Sequence, residues 1–196
     1  MSKASFGLPF AALALIAAAP APKAAPPAAP SIVAPAEVAA NPANKLNLEL
    51  SSGGTVVIQM RPDIAPHHVE RVQTLVRRGF YNGLPFHRVI PGFMAQGGDP
   101  QGTGEGGSDL PDLKAEFTSL PFLRGTVAAA RTEKPDSANS QFFIMFGPRK
   151  MPADYTIWGR VAAGMDRVDS IAAGEPPAEP TKIVRAYLGD TATASN

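Results

Sequence analysis

The sequence predicts a mainly β domain, folded as a closed antiparallel barrel or a sandwich and carrying only two helices. Short apolar runs that alternate with polar residues recur between turn-forming clusters from Lys45 onward, the mark of half-buried strands. Apolar residues at helical spacing occur in just two places. With 196 residues, 44% of them hydrophobic and 18% charged, the chain suits one soluble domain able to bury its own core. No internal repeat is visible.

Residues 1–19 start with Lys3 and then run without charge from Phe6 to Ala19. That run is short of the ~20 residues a membrane span needs. With small residues closing it, the segment reads as a secretory signal peptide, Ile16-Ala17-Ala18 offering a cleavage context. An uncleaved, weakly anchoring tail is the alternative. A periplasmic or secreted location is therefore expected, with no stable membrane insertion once the leader is removed. Residues 20–44 are rich in Ala and Pro without a periodic apolar pattern, the composition of an extended, disordered spacer. A folded domain is expected over 45–190, with a short tail at 191–196.

Within that domain, Leu46, Leu48 and Leu50, then Val56, Ile58 and Met60, alternate on either side of Ser51-Ser52-Gly53-Gly54, which predicts a β-hairpin. Pro66 suits the first turn of a helix, Val69, Val72, Leu75 and Val76 form its apolar stripe, and Gly79 supplies a stop. His67 and His68 are adjacent and point in different directions, so they read as solvated surface rather than a helical metal pair. Residues 100–108 form a glycine-rich loop that lacks the Lys-Ser/Thr of a phosphate cradle. It is better placed beside a ligand groove, where glycine allows a close backbone path. Further strands are expected at 125–131, 141–146, 156–161 and 182–188, and a second short helix is marked by Met165, Val168, Ile171 and Ala172.

Charge and cysteine narrow the function. The net charge is +1, and leaving out Lys3, Lys23 and Glu37 of the first forty residues leaves sixteen basic against sixteen acidic groups. That balance argues against nucleic acid, whose phosphates are bound by an excess of Lys and Arg. The chain has no cysteine, hence no disulfide or thiolate metal site.

One stretch organises the rest: Phe86-His87-Arg88-Val89-Ile90-Pro91-Gly92-Phe93-Met94-Ala95-Gln96-Gly97-Gly98-Asp99. Two strand-like runs flank a Pro-Gly turn, and period-two alternation sets Phe86, Arg88 and Ile90 on one face. A permanent cation, an amide and two large apolar groups, Phe93 and Met94, could thus meet on one surface. His87, on the other face, reads as a structural histidine. A second block, Gly125-Thr126-Val127-Ala128-Ala129-Ala130-Arg131, leads through a polar loop to Ser140-Gln141-Phe142-Phe143-Ile144 and adds small residues and another aromatic.

These blocks, with Gly102-Thr103-Gly104 and Glu116-Phe117, resemble the cyclophilin family of peptidyl-prolyl isomerases, in one order from about Leu46 to about Leu188. The resemblance implies an eight-stranded closed antiparallel β-barrel capped by a helix at each open end. It also implies catalysis by Arg88 with Gln96, the amide orienting either the arginine or the substrate carbonyl, and a proline pocket of Phe93, Met94 and Phe143. The backbone at Ala130 and Arg131 would hold the residue before proline, Gln141 would lie beside the groove, and Met151 and Tyr155 would form a wall. No metal or cofactor is implied. The partners are proline-containing polypeptides, and a monomer is expected.

The chemistry suits these residue types. An X-Pro bond rotates slowly because amide resonance imposes a barrier of ~18–20 kcal/mol. No covalent bond breaks, so neither nucleophile nor metal is needed. A fixed cation that donates to the twisted nitrogen or to the proline carbonyl favours the transition state, and arginine stays charged in a rigid plane of donors. A binding module that holds proline segments with incidental turnover is the alternative.

Many cyclophilins carry tryptophan where this chain has Lys150, while Trp158 falls at a core-strand position. In the family that indole contributes to cyclosporin binding. The expected outcome is weak cyclosporin affinity with isomerase activity kept, and a titration showing tight, stoichiometric binding would refute it.

Overall fold

The computed structural model describes Met1 and residues 31–189. The expected leader beyond Met1, the first part of the spacer and the tail at 191–196 lie outside the described residues. Eight strands appear among the described residues: β1 Lys45–Leu50, β2 Thr55–Met60, β3 Phe86–Ile90, β4 Met94–Gly97, β5 Thr126–Ala129, β6 Phe142–Met145, β7 Ile157–Ala163 and β8 Ile183–Leu188. They join one antiparallel sheet in the order β3-β4-β6-β5-β7-β2-β1-β8. The α-helices are α1 Ala36–Ala40, α2 Pro66–Arg77 and α3 Met165–Asp169.

The sheet curls without closing into a continuous ladder, which corrects the expected closed barrel. Strands β3 and β8 are its edges and meet through loop backbone. The Gly83 N–H donates to the Ile183 carbonyl at 2.6 Å, and the Phe86 N–H to the Thr181 carbonyl at 2.9 Å. Beyond Phe86, β3 turns to Gly174 instead, exchanging bonds of 2.8 and 3.0 Å through Val89. The chain entering β8 carries Pro176, Pro177 and Pro180, which have no N–H to donate, so no strand can run on alongside β3.

The spacer reading also fails at its C-terminal end. Between Pro35 and Pro42, Ala36-Glu37-Val38-Ala39-Ala40 holds good helix formers and one apolar anchor, and forms α1 with Val38 buried. A 3₁₀ turn, Pro42–Asn44, follows. Side chains of the domain satisfy the segment's carbonyls: Arg61 Nη1 donates to Ser31 at 2.8 Å, Gln59 Nε2 to Asn44 at 3.3 Å and Gln73 Nε2 to Ala43 at 3.0 Å. Residues 31–44 thereby dock on β2 and α2.

The hairpin forms as expected, with Leu48 opposite Val56 and Leu46 opposite Ile58. Helix α2 buries Val69, Val72, Leu75 and Val76, packing against β7 and β8. Its C-terminus closes in a Schellman arrangement: the Phe80 N–H donates to the Leu75 carbonyl at 3.0 Å, and the Gly79 N–H to the Val76 carbonyl at 2.9 Å. At its start no local side chain caps the helix. The Glu116 carboxylate does so instead, accepting the His67 and His68 N–H groups at 3.2 and 3.0 Å. The same carboxylate meets His68 Nδ1 at 2.6 Å. His68 is therefore buried in the fold rather than solvated.

Alternation along the strands produces two apolar layers. Leu48, Ile58, Ala95, Val127, Phe142, Ile144 and Trp158 fill the inside of the curled sheet. Met94, Ala128, Phe143, Met145 and Ile157 build a smaller layer on its outer face, with Phe122 laid over them. The expected common face for Phe86, Arg88 and Ile90 is corrected by an irregularity in the β3–β4 register between Phe86 and Arg88. One extra residue there sends Phe86 inward against Phe142, while Arg88 and Ile90 stay outside.

Where β4 ends, Gly98 crosses close over the start of β6 at a φ of +88°, and an added Cβ would collide with the Ser140 carbonyl oxygen. Gly98→Ala is expected to cost about 3 kcal/mol from left-handed backbone strain plus overpacking. Urea unfolding measures it; an unchanged midpoint would show that the crossing can relax.

Candidate active site

The outer layer stops short of covering its own strands, and a cleft of about 270 Å³ opens there. Phe93, Met94 and Phe143 line it, with Arg88 and Gln96 along one side, Ala130 and Arg131 on another, and Met151 and Tyr155 as a wall. Nine of the ten residues expected from the sequence thus meet in one place. Gln141 is in the neighbouring cleft of about 470 Å³, which shares Gln96, Ala130 and Arg131 with the first. The glycine loop lines that second cleft through Gly104, Gly106 and Gly107.

Each side chain is placed by its strand. Arg88 and Gln96 are cross-strand partners of β3 and β4, and Gln96 pairs in turn with Phe143 of β6. Ala128 of β5 stands opposite Phe143, small enough to leave that ring room. Phe143 is stacked on Phe122, with ring centres 6.3 Å apart, and meets the Tyr155 edge at 5.6 Å. The wall is tied down by Arg131, whose Nε and Nη2 donate to the Asp154 carbonyl and carboxylate at 2.6 Å each, while its guanidinium lies 4.7 Å above the Tyr155 ring. Arg149 covers the Phe93 ring in the same manner at 4.4 Å.

The amides do not orient Arg88 directly. Gln96 Nε2 donates to Gln141 Oε1 at 2.9 Å, and Gln141 Nε2 donates to the Gly104 and Gly106 carbonyls at 2.9 and 2.8 Å. Arg88 Nε instead donates to Glu175 Oε2 at 2.7 Å. Sequence reasoning missed Glu175, Asp154 and Phe122. Phe122 and Asp154 lie in irregular segments with no periodic signal, and Glu175 reaches Arg88 across 87 residues of chain. The Glu-Pro-Pro run at 175–177 was the one local hint of a stiff loop.

Beneath the glycine loop lies Asp99, wholly buried. Its carboxylate accepts the N–H groups of Gln101, Thr103 and Gly104 at 2.8, 2.9 and 2.6 Å. Burial would raise its pKa, but the backbone N–H groups of Gln101, Gly104, Gly106 and Thr103 together outweigh it and hold the carboxyl below the usual carboxylate value. His87 is packed beside the loop, near Gly104, and burial lowers its pKa. It stays out of the cleft, as expected of a structural histidine.

A family profile described as cyclophilin type peptidyl-prolyl cis-trans isomerase/CLD matches residues 45–188. The chain is 49% identical over 168 residues to a protein of Brucella suis biovar 1 named probable peptidyl-prolyl cis-trans isomerase, covering 76% of this chain and 85% of that one. A crystal structure of a cyclophilin from Hirschia baltica superposes with a TM-score of 0.69 at 31% identity, over 76% of this chain and 74% of the other. A Cryptosporidium parvum cyclophilin-type isomerase, crystallised in the presence of the dipeptide Ala-Pro, shares the fold with a TM-score of 0.69 at 24% identity, over 74% and 99% of the two chains.

Because its folded pKa is depressed, Asp99 contributes stability above the unfolded carboxylate range, and that contribution is lost as pH falls through the folded value. Asp99→Asn should lose about 2 kcal/mol at neutral pH, the worth of hydrogen bonds to a charged group. It should also show a shallower fall in stability between neutral and strongly acid pH than the wild type. Urea midpoints across that range decide; parallel curves would refute the role.

Proposed function

Because the chain belongs to the cyclophilin-type peptidyl-prolyl cis-trans isomerases, we propose that the outer-face cleft is its active site and that Arg88 is the catalytic residue. The protein is a peptidyl-prolyl cis-trans isomerase, and its substrates are polypeptides that present an X-Pro bond. The observation that carries the site assignment is the opening of Arg88 onto the same cleft as Phe93, Met94 and Phe143.

The cleft is wide enough for one pyrrolidine ring and too small for a length of chain. The substrate therefore lies across the surface and inserts only proline, gripped by Phe93, Met94 and Phe143 against the Met151 and Tyr155 wall. Ala130 and Arg131, both partly buried, border the cleft where the preceding residue must lie, and the Gln96–Gln141 pair lies beside it. With the ring held, the preceding carbonyl is the part free to swing.

As the peptide plane turns, conjugation is lost and the nitrogen lone pair localises. The Arg88 guanidinium donates to that nitrogen or to the proline carbonyl, an interaction stronger in the twisted state than in either planar isomer. No proton is transferred and no intermediate forms, so the permanent charge of arginine suffices.

The same proposal extends to place: an exported isomerase, acting as a monomer after its leader is removed. It is supported by Lys3 followed by an uncharged apolar run to Ala19 and by the small residues that end it. Intact mass of the protein recovered from its native compartment, and its sedimentation, test both parts.

The site is tested by cis-to-trans relaxation of an Ala-Pro peptide. Arg88→Ala is expected to lower kcat/KM about a hundredfold, the usual loss when one charged or polar donor to a transition state is removed. Phe143→Ala should raise KM more than it lowers kcat. An unchanged rate in Arg88→Ala would remove the mechanism.

A further inference from the structure

We propose that Glu175 is a positioning residue for Arg88, holding its guanidinium so that the two terminal nitrogens face the cleft. The inference rests on Arg88 being the catalytic group. Arg88 Nε donates to Glu175 Oε2 at 2.7 Å, and no other hydrogen bond or ion pair engages the Arg88 side chain among the described residues. With Nε occupied, rotation of the guanidinium plane is restrained while Nη1 and Nη2 remain available to substrate.

An exposed ion pair is by default a weak contact, and here the two side chains are 42% and 52% exposed. This pair differs because backbone pins both ends. Val89, next to Arg88, and Gly174, next to Glu175, exchange reciprocal hydrogen bonds of 2.8 and 3.0 Å. Gly174 adopts a φ of +145°, and a Cβ there would come within 2.6 Å of Pro177 Cα, so the loop folds tightly on itself. Pro176 and Pro177 fix their own φ, and Pro176 narrows the choices open to Glu175. The carboxylate is thus delivered by stiff chain to one atom of Arg88. Gln96, the cross-strand neighbour expected to orient the arginine, is committed to Gln141.

The test uses the full chain with four variants: Arg88→Ala, Glu175→Ala, Glu175→Gln and the Arg88→Ala/Glu175→Ala double. Each is assayed on an Ala-Pro peptide with kcat and KM resolved. The Arg88 Nε–H resonance, assigned by its loss in Arg88→Ala, is followed by NMR. Glu175→Ala is expected to lower kcat about fivefold, the upper end of what an exposed pair is worth, with KM within twofold. Glu175→Gln keeps an acceptor at the same reach and should recover kcat to within twofold of wild type. The double variant should be no slower than Arg88→Ala alone. The Nε–H signal should move toward that of a free arginine in Glu175→Ala only.

If Arg88→Ala is slow but Glu175→Ala keeps its kcat, the role of Glu175 is overturned and the reading of Arg88 survives. A loss confined to KM, a further loss on the Arg88→Ala background, or no recovery in Glu175→Gln would overturn it too. A normal rate in Arg88→Ala would instead overturn the active-site reading itself.

Discussion

Strand β6 is covered on both of its faces, and the site depends on that. Phe142, Phe143, Ile144 and Met145 are all buried although neighbouring side chains point to opposite sides of the sheet. Phe142 and Ile144 belong to the inner core, and Phe142 meets the Trp158 ring at 5.9 Å. Phe143 and Met145 belong to the outer layer. A slip of one residue would exchange the two sets, sending the pocket ring inward and taking its partner from Trp158. The registers of β4 and β5 against β6 prevent this, and a single set of backbone bonds thereby locks core and cleft together.

The inner core leaves no room for chemistry on a polypeptide. Trp158, Phe86, Ile144 and Leu48 are almost wholly buried there, and a substrate chain could not thread through such packing. The outer face offers what the inside cannot: a shallow apolar floor, open on one side, with charged groups at its margin. Those margin groups are not alike. Arg131, with a side chain only 10% exposed, is consumed by Asp154 and the Tyr155 ring and stiffens the wall. Arg88 is held at one nitrogen and keeps the rest of its donors for the cleft.

What could be read in the sequence was local. The β1–β2 hairpin, helix α2 with its glycine stop, all eight strands and the membership of the cleft were legible, because period, turn residues and motif order carry them. What could not be read needs partners distant in sequence or a broken period. The extra residue between Phe86 and Arg88 leaves no mark in composition, yet it reverses the face of Phe86. The open seam between β3 and β8 depends on which backbone meets the prolines before β8. Asn44, Gln59, Gln73 and Arg61 give residues 31–44 their place; an Ala/Pro composition read alone suggests only a spacer. His68 was misplaced for the same reason, since its partner, Glu116, lies 48 residues away.

The ionisable groups are sorted in a way that fits catalysis without proton transfer. The chain has three histidines, and none of them lines the cleft. Burial lowers the pKa of His87 and, against the opposing pull of Glu116, that of His68, so both favour the neutral form inside the fold. Asp99 is ionised but spent on the N–H groups of the glycine loop. What remains facing the cleft, beside the Tyr155 phenol, is arginine, the side chain least able to give up its charge. A twisted amide needs a donor that is always present rather than one that titrates. By keeping His68, His87 and Asp99 in the packing and arginine in the cleft, the fold separates what holds it together from what turns the peptide bond.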